Sequence, residues 1–579
     1  MYILGVHTGH DAGACLFSDL ELIAFCKEER VSRVKNDGGF FDLLSVDEVL
    51  RIAGISRKQI DAVAFTRMGF PLECFRQTSK PIKDFVRQAL GKKRSRLLAS
   101  EMRKQCVWHE EKILKYSVVR KIMGLREDCE ISFSNHHYAH ILGSFKYTDW
   151  GEASLYISCD GGGDGAHYSA YYYDGQSLEC LYGGNETLEL EQQNAGASVG
   201  LAYAYATKYT GFQPNRHEGK LTGLAAFGTP IVANKIVEAI GVTDKGGFDS
   251  SIKSGGDLKH FLDDLFEGLS REDVAASIQV ASERIVVNWV KQLLSMRPVK
   301  YIGLSGGVFS NVKLNQCVAE LEGVREVFIF PAMGDEGLPV GSCVDYLINK
   351  YGLNNIGRER LGNVYLGWEY KPQDLMCMAE EQGFKIEKSA NVSRMASQEL
   401  ANGKVGAVFF SAMEMGPRAL GARSILASPE KRDINDSINA RLERTEFMPF
   451  APYVLPEDAV DVFDIDDTNR YACKFMTITT RVNEKYRNQI AAVVHVDGTA
   501  RPQIIEREDN WLYYDILKDF KELTGIPCLV NTSFNAHEEP IINTPNEALR
   551  ALKDNRVDFL VCEQGLVYWG EIQCAQLNL

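Results

Sequence analysis

Short apolar runs broken by glycine and acidic residues open the chain: YILGVHT, GHDAG, ACLF and LELIAFC, from Tyr2 to Cys26. Runs of that length bounded by Gly/Asp clusters predict a strand, a turn and two further strands. The rhythm returns about 150 residues later in SLYISCD, GGGDG and AHYSAYYYDG. Two strand-turn-strand units, each with an acid and glycines at its turn, suggest an internally duplicated phosphate-binding architecture, although the copies share little residue identity. Between them a charged, helix-patterned stretch from about 44 to 125 predicts a helical insertion.

Further along, Tyr301 to Leu304 reads as a buried strand, Ser305-Gly306-Gly307 as a turn, and the helix after it opens near Asn311. EVFIF predicts another strand, feeding the turn PAMGDEG and a helix from Leu338. Such βα alternation, with glycine-rich polar turns at strand ends, is where open α/β sheets bind ligands. Residues 1–350 are therefore expected to form an ATPase-like α/β domain. At YGLNNIGRERLG the apolar period lapses, which predicts a linker over 351–362. A second α/β or α+β domain over 363–579 would hold the strands KVGAVFF, AAVVHVD, PCLVN and FLVCE.

Length supports the division, since 579 residues exceed what one hydrophobic core serves, roughly 250 to 300. Charge narrows the partners. A net −14 argues against a nucleic-acid binder, and the basic stretch from Arg87 to Arg120 reads as a solvated helix face. The 14 cysteines include no CxxC pair, and Cys15, Cys343 and Cys528 sit in apolar runs as reduced core thiols would. MYILGVHTGH has neither the basic flank nor the unbroken apolar core of a signal peptide or anchor, and no window offers about 20 uninterrupted apolar residues. No membrane partner and a cytoplasmic address are expected.

The sharpest candidate chemistry lies in SNHHYAH. A cap at Ser134 or Asn135 would put His136 and His140 one helical turn apart on one face, a spacing that lets two imidazoles share a metal. Chance also produces such a pair in a chain with 11 histidines. Asp160 and Asp335, at the two strand-end turns, add carboxylates, and the four donors would suit Fe(II), Mn(II) or Zn(II). Asp164 is weaker, a residue that can simply stabilise its turn. Gly161, Gly162 and Gly163 would let backbone amides approach phosphate oxygens, and Gly306, Gly307 and Asn311 stand in a strand-turn-helix setting suited to a nucleotide. The bland alternative for both is a structural turn. His10, beside Asp11 after the first strand, could orient or protonate a phosphoryl oxygen. In RHEGK, Glu218 and Lys220 suit ribose and phosphate contacts, with a surface turn as the plainer reading. In the second domain Arg418, Arg423, Arg441, Arg444 and Arg501 accompany Asn531, Ser533 and Asn535. Guanidinium forks bind phosphate bidentately, which suggests a small phosphorylated substrate, though any one could be a surface ion pair.

In order, GHDAGACLF, HHYAH, CDGGGDG, EGKLTGLAAFG, SGGVFSN, GDEG, MGPRALGARSILASP, FMPFAP, HVDGTARPQ and NTSFN resemble the NodU/CmcH/TobZ carbamoyltransferase family over nearly the whole chain. The resemblance implies an N-terminal actin-like ATPase (Kae-type) domain and a C-terminal YrdC-like α/β domain. It implies an O-carbamoyltransferase of natural product biosynthesis that makes a carbamoyl adenylate from carbamoyl phosphate and ATP, then passes the carbamoyl group to an acceptor hydroxyl. The metal, Fe(II) in such enzymes, would be held by His136, His140, Asp160 and Asp335, with Mg(II) admissible beside the ATP. Arg418, Arg444, Arg501, Asn531 and Ser533 would bind carbamoyl phosphate. His10, Glu218, Lys220, Gly306, Gly307 and Asn311 would hold the nucleotide, and His10, Asp11, Arg418, Arg444 and Arg501 are the candidate catalytic residues.

One segment departs from the family. Where members commonly read K-x-R-E-x-F/W-R-P-F, this chain has Leu442, Arg444, Thr445, Phe447 and Met448, so two cations are missing and Arg441 is the candidate replacement for one. The NodU-like branch shares this variant, which marks it as subfamily character. A threonylcarbamoyl-transferring tRNA enzyme is disfavoured by the acidic balance, and a silent actin-like regulator by the arginine-rich second domain. The acceptor, a small hydroxylated molecule, is expected to meet loops and the stretch near 70 to 125. A homodimer is the symmetry-based expectation.

Overall fold

The opening runs form β1 (Tyr2–His7), β2 (Gly13–Ser18) and β3 (Glu21–Lys27), an antiparallel meander. On the other side of β1, β4 (Ala62–Phe65) and β5 (Glu130–Phe133) continue in parallel, giving the order β3-β2-β1-β4-β5. A second sheet repeats this plan. Strands β6 (Ser154–Gly163), β7 (Ala166–Tyr173) and β8 (Leu178–Tyr182) are antiparallel, β9 (Tyr301–Ser305) and β10 (Glu326–Ile329) run parallel to β6, and the order is β8-β7-β6-β9-β10. The duplication expected from two strand-turn-strand runs is thus present in strand order and sense. All four residues of β4 and of β10 are buried, as strands covered on both faces must be.

The computed structural model describes residues 1–39, 43–66, 69–74, 76, 97–98, 114–183, 193–444 and 448–570. The chain divides into two units, Met1–Leu361 and Gly362–Leu579. In the first, α1 (Glu28–Ser32) and α2 (Leu44–Ala53) follow the meander, α3 (His136–Lys146) follows β5, and α4 (Leu338–Tyr351) packs on α3 and β1. Backbone approach sets that packing. A Cβ on Gly341 would stand 1.8 Å from the Ala139 carbonyl oxygen, and one on Gly5 2.3 Å from that of Pro339. Among the described residues no helix is long and apolar enough to cross a membrane.

The stretch 44–125 is no simple helical insertion: α2 packs on β2 and β3, and Ala62–Phe65 is an inner strand, four apolar residues too few to show a period. Residues 77–96 and 99–113, including most of the basic stretch and of the expected acceptor-lining segment, lie outside the described residues. Nor is 351–362 a free linker. The Arg358 guanidinium lies 4.3 Å and 4.5 Å over the Phe145 and Tyr173 rings and donates to the Phe145 carbonyl and, at 2.8 Å, to Tyr156 Oη. Arg360 pairs with Asp149 and Glu326 at 2.9 Å and 2.7 Å. Charged contacts replace the missing apolar period.

The second unit is built on one eight-stranded mixed sheet: β11 (Lys385–Lys388), β12 (Gly406–Val408), β13 (Ser424–Ala427), β14 (Ala451–Val454), β15 (Gln503–Ile504), β16 (Cys528–Ser533), β17 (Phe559–Cys562) and β18 (Gly565–Tyr568). Their order is β11-β18-β17-β12-β13-β16-β14-β15. KVGAVFF, PCLVN and FLVCE supply β12, β16 and β17. AAVVHVD is not a strand; Ala491–Val493 form a 3-10 turn whose Ala492 and Val493 are fully buried without pairing.

Candidate functional site

The start of α3 is fixed from two sides. Asn135 accepts the Tyr138 N–H at 3.0 Å as N-cap, and Asp164 Oδ2, from the turn after β6, accepts the His136 N–H at 2.8 Å. Asp164 is therefore a helix anchor. The next turn brings His136 and His140 onto one face. Their Nε2 atoms lie 3.3 Å and 3.1 Å from Asp160 Oδ2, and 3.6 Å and 3.5 Å from Asp335 Oδ1. One ligand atom from each of the four residues lies within 4.8 Å of the others.

Burial alone would raise the Asp160 carboxyl, but hydrogen bonds from His136 and His140 outweigh it and hold the group well below the usual carboxylate range. Burial likewise opposes charge on His140, while its bonds to Asp160 and Asp335 push it up to about 9. Asp335 is held low, against its burial, chiefly by the charge of His136. Two ionised carboxylates set against two imidazoles have the electrostatics of a cation site, and two nitrogen with two oxygen donors fit a borderline divalent metal. His137, whose Nδ1 meets Ser158 Oγ at 2.6 Å, is kept neutral by burial and faces away from this set.

His7 was not foreseen. Its Nδ1 is 2.9 Å from Thr66 Oγ1 and its Nε2 is 3.2 Å from the His10 carbonyl, with Asp335 Oδ2 farther away at 3.7 Å. The only signal was its place at the end of β1. His10 Nε2 lies 3.1 Å from Asp11 Oδ2, and Lys27 Nζ 3.0 Å from Asp11 Oδ1. Burial would lower His10, but its bond to Asp11 pushes it up to about 9.

The glycines prove specific. A Cβ on Gly163 would fall 2.2 Å from the His136 ring, and Gly162, at φ +144, would meet the His167 ring at 2.8 Å. Only Gly161 of the three faces open space, and its N–H donates to Asp160 Oδ1. Gly306, at φ +95, packs on the Cys159 carbonyl, and a Cβ on Gly307 would be 3.2 Å from Asp160 Oδ1, so the turn after β9 lies against the carboxylate turn of β6. Asn311 caps the helix Val312–Ala319, accepting the Leu314 N–H, and exchanges bonds with Gln279 at 2.8 Å and 3.2 Å. Glu218 opens the helix Glu218–Ala225, accepting the Asn215 N–H at 2.6 Å, and burial raises its carboxyl; Lys220 on the same helix is buried.

In the second unit Arg444 Nη2 donates to Ser533 Oγ at 3.1 Å and Asn535 Oδ1 at 2.7 Å, and Nη1 to Thr532 Oγ1 at 3.0 Å. The turn bearing half-buried Arg418 is braced through its backbone. Asn531 Nδ2 donates to the Ala419 carbonyl at 3.0 Å, Gln503 Nε2 to that of Leu420 at 2.7 Å, and Glu414 Oε1 accepts the N–H groups of Leu420, Ala422 and Arg423. Asn531, only 1% exposed, is thereby engaged as a brace, and Gln503 and Glu414 were missed because a brace has no motif. Arg501 is half-buried just before β15. Arg423 is fully buried over Phe409, with Nη1 on the Phe410 and Ser411 carbonyls. Arg441, expected to replace a lost cation, pairs with Asp558 at 2.8 Å. Leu442 is buried, while Thr445 and Phe447 lie outside the described residues.

Family models described as carbamoyltransferase N-terminus and carbamoyltransferase C-terminus match residues 2–344 and 397–568. Nodulation protein NolNO of Sinorhizobium fredii is 31% identical over 96% of this chain and 79% of its own length. Nodulation protein NolO of Bradyrhizobium diazoefficiens is 32% identical over 75% of this chain and 78% of its own. Component A of (R)-2-hydroxyglutaryl-CoA dehydratase from Acidaminococcus fermentans aligns with 60% of this chain and 98% of its own at 14% identity, with a TM-score of 0.33, too slight to carry an argument.

Proposed function

The chain belongs to the carbamoyltransferase family, and from that premise we propose that it converts carbamoyl phosphate and ATP into a carbamoyl adenylate and moves the carbamoyl group to a hydroxyl of a small natural-product acceptor. The observation that carries this reading is the convergence of His136, His140, Asp160 and Asp335 beside the Gly306-Gly307 turn, at strand ends of two sheets with one plan. That duplicated plan favours an actin-like ATPase reading for the first unit. We read the second as the YrdC-like unit that forms the adenylate.

His136, His140, Asp160 and Asp335 would hold the metal, Fe(II) on the family resemblance, and a dication there supplies positive charge against phosphate oxygens. Gly161 lets a nucleotide approach backbone without meeting a Cβ, and Gly306, Gly307, Glu218, Lys220 and Asn311 are assigned to border it. In the transfer, the acceptor oxygen bonds to the carbamoyl carbon, the bond from that carbon to the AMP phosphate oxygen breaks, and the hydroxyl proton passes to water. His10, kept protonated by Asp11, is suited to donate to that departing oxygen. In the second unit Arg418, Arg444, Arg501 and Ser533 are assigned to carbamoyl phosphate, with Asn531 holding the Arg418 turn.

Incubating Fe(II)-loaded protein with ATP and carbamoyl phosphate, without acceptor, should yield carbamoyl-AMP by mass spectrometry. Neither adenylate nor ATP turnover would sink the proposal.

A further inference from the structure

Beneath His10 lies a buried lattice of charge. Lys27, the last residue of β3, is 4% exposed and Glu29 only 1%. An ammonium at that depth needs partners, because a buried charge left unpaired is strongly destabilising. Lys27 Nζ has two, Asp11 Oδ1 at 3.0 Å and Glu29 Oε1 at 3.6 Å. Arg30 Nη1 and Lys35 Nζ bind the Glu29 carboxylate as well, at 3.1 Å and 3.4 Å. Asn36 joins both acids: its Nδ2 donates to Asp11 Oδ1 at 2.9 Å and its backbone N–H to Glu29 Oε2 at 2.9 Å.

The two oxygens of Asp11 are therefore divided. Oδ1 takes Lys27 and Asn36, and Oδ2 is left to His10 Nε2 at 3.1 Å. Exposure rises along this series, from 4% at the Lys27 side chain through 12% at Asp11 to 38% at His10, so its outer end is the part open to solvent. Asp11 holds a left-handed φ of +53, which for a non-glycine residue persists only where the surroundings over-determine it. Charge pairing accounts for the contact of Lys27 with Asp11 but not for that of Asn36. Glu29 already has Arg30 and Lys35, and Asn36 carries no charge, so its bond to Asp11 serves geometry.

We infer that Lys27 and Asn36 are positioning residues for carbamoyl transfer: by pinning one oxygen of Asp11 they aim the other at His10 and so set the orientation of that ring. The inference rests on the role proposed above for His10. Its consequence is specific to the second half of the reaction, because the lattice lies wholly in the first unit.

The test needs no knowledge of the acceptor, since water can take its place: water oxygen bonds to the carbamoyl carbon, the carbon–oxygen bond to AMP breaks, and AMP and carbamate leave. Fe(II)-loaded full-length variants would be given ATP and carbamoyl phosphate, and carbamoyl-AMP and AMP followed together. Asn36→Gly removes the side-chain donor, keeps the backbone contact to Glu29, and suits the left-handed φ of +52 at that position. AMP release should fall about tenfold while carbamoyl-AMP accumulates and iron content is unchanged. Lys27→Met should fall at least as far, and Lys27→Arg, which keeps the cation, should recover to within about threefold of the parent. A merely structural role would lower adenylate formation and consumption together, and that outcome overturns the inference. Wild-type AMP release by Asn36→Gly while His10→Ala is slow also overturns it. Wild-type release by His10→Ala overturns the His10 reading itself, and the inference with it.

Discussion

At the scale of single residues, the two sets of polar side chains make separable predictions. His136→Ala removes one of four donors that stand within bonding reach of one another, so it should lose bound metal by elemental analysis and lose carbamoyl transfer, yet still form carbamoyl-AMP. Arg501→Ala should retain metal and fail at adenylate formation. A common failing step in both variants would refute the proposed division of labour. His10 adds a pH dependence. Its bond to Asp11 raises it from 6.5 to about 9, with Asp335 adding to the rise and Lys27 opposing it. A raised folded value means that the folded state gains from the proton: the contribution is complete below 6.5 and lost as pH climbs through about 9. Denaturant midpoints should therefore decline over that window, and His10→Gln should flatten the decline. The His136–His140 pair of the four-donor cluster was legible because imidazoles one turn apart announce themselves in SNHHYAH. Lys27, Asn36, Gln503 and Glu414 were not, because a residue that acts by holding another is marked only by what it touches in space.

At the scale of elements, legibility followed length and punctuation. Strands β1 to β3 and β6 to β7 are bounded by Gly/Asp turns, and both copies could be read from their rhythm. The inner strand Ala62–Phe65 has four residues inside a charged stretch, too short for any period to emerge. AAVVHVD errs the other way: its apolar run satisfies burial as a 3-10 turn, a choice that hydrophobicity alone does not decide. What no pattern could disclose is how closely elements approach. Helix α4 carries no proposed ligand, but Gly341 lets it lie against α3 one residue from His140, where a Cβ would stand 1.8 Å from the Ala139 carbonyl. Backbone cannot yield as a flexible side chain can, so Gly341→Ala must push the helices apart. The expected cost is about 1–3 kcal/mol in urea unfolding, together with weaker metal retention, because α3 holds two of the four donors. Unchanged unfolding with unchanged metal content would show that the α3–α4 spacing is not what sets the site.

At the scale of the whole chain, the two family models leave a gap, residues 345–396, that neither matches. Sequence pattern called part of that gap a linker because apolar periodicity fails there. Energetically, its first part belongs to the first unit. Arg358 lies over two aromatic rings and donates to the Phe145 carbonyl at the C-terminal end of α3, while Lys146 on α3 donates to the Gly357 carbonyl and Glu359. These contacts tie the far end of the helix that carries His136 and His140. A guanidinium held by cation–π contact and by several hydrogen bonds should contribute about 2–3 kcal/mol. Arg358→Ala should therefore lower the unfolding transition of the first unit and leave that of the second in place, as calorimetry on the full chain would resolve. The contacts of Arg358 and Arg360 also fix where the chain can be divided. A fragment ending at residue 361 keeps Arg358 and Arg360, whereas one ending at 350 strips both, bares the Phe145 and Tyr173 rings that Arg358 covers, and leaves Asp149 and Glu326 without Arg360. The longer fragment should remain soluble and bind metal, the shorter should aggregate, and equal behaviour of the two would show that the docked segment adds nothing to the unit it packs on.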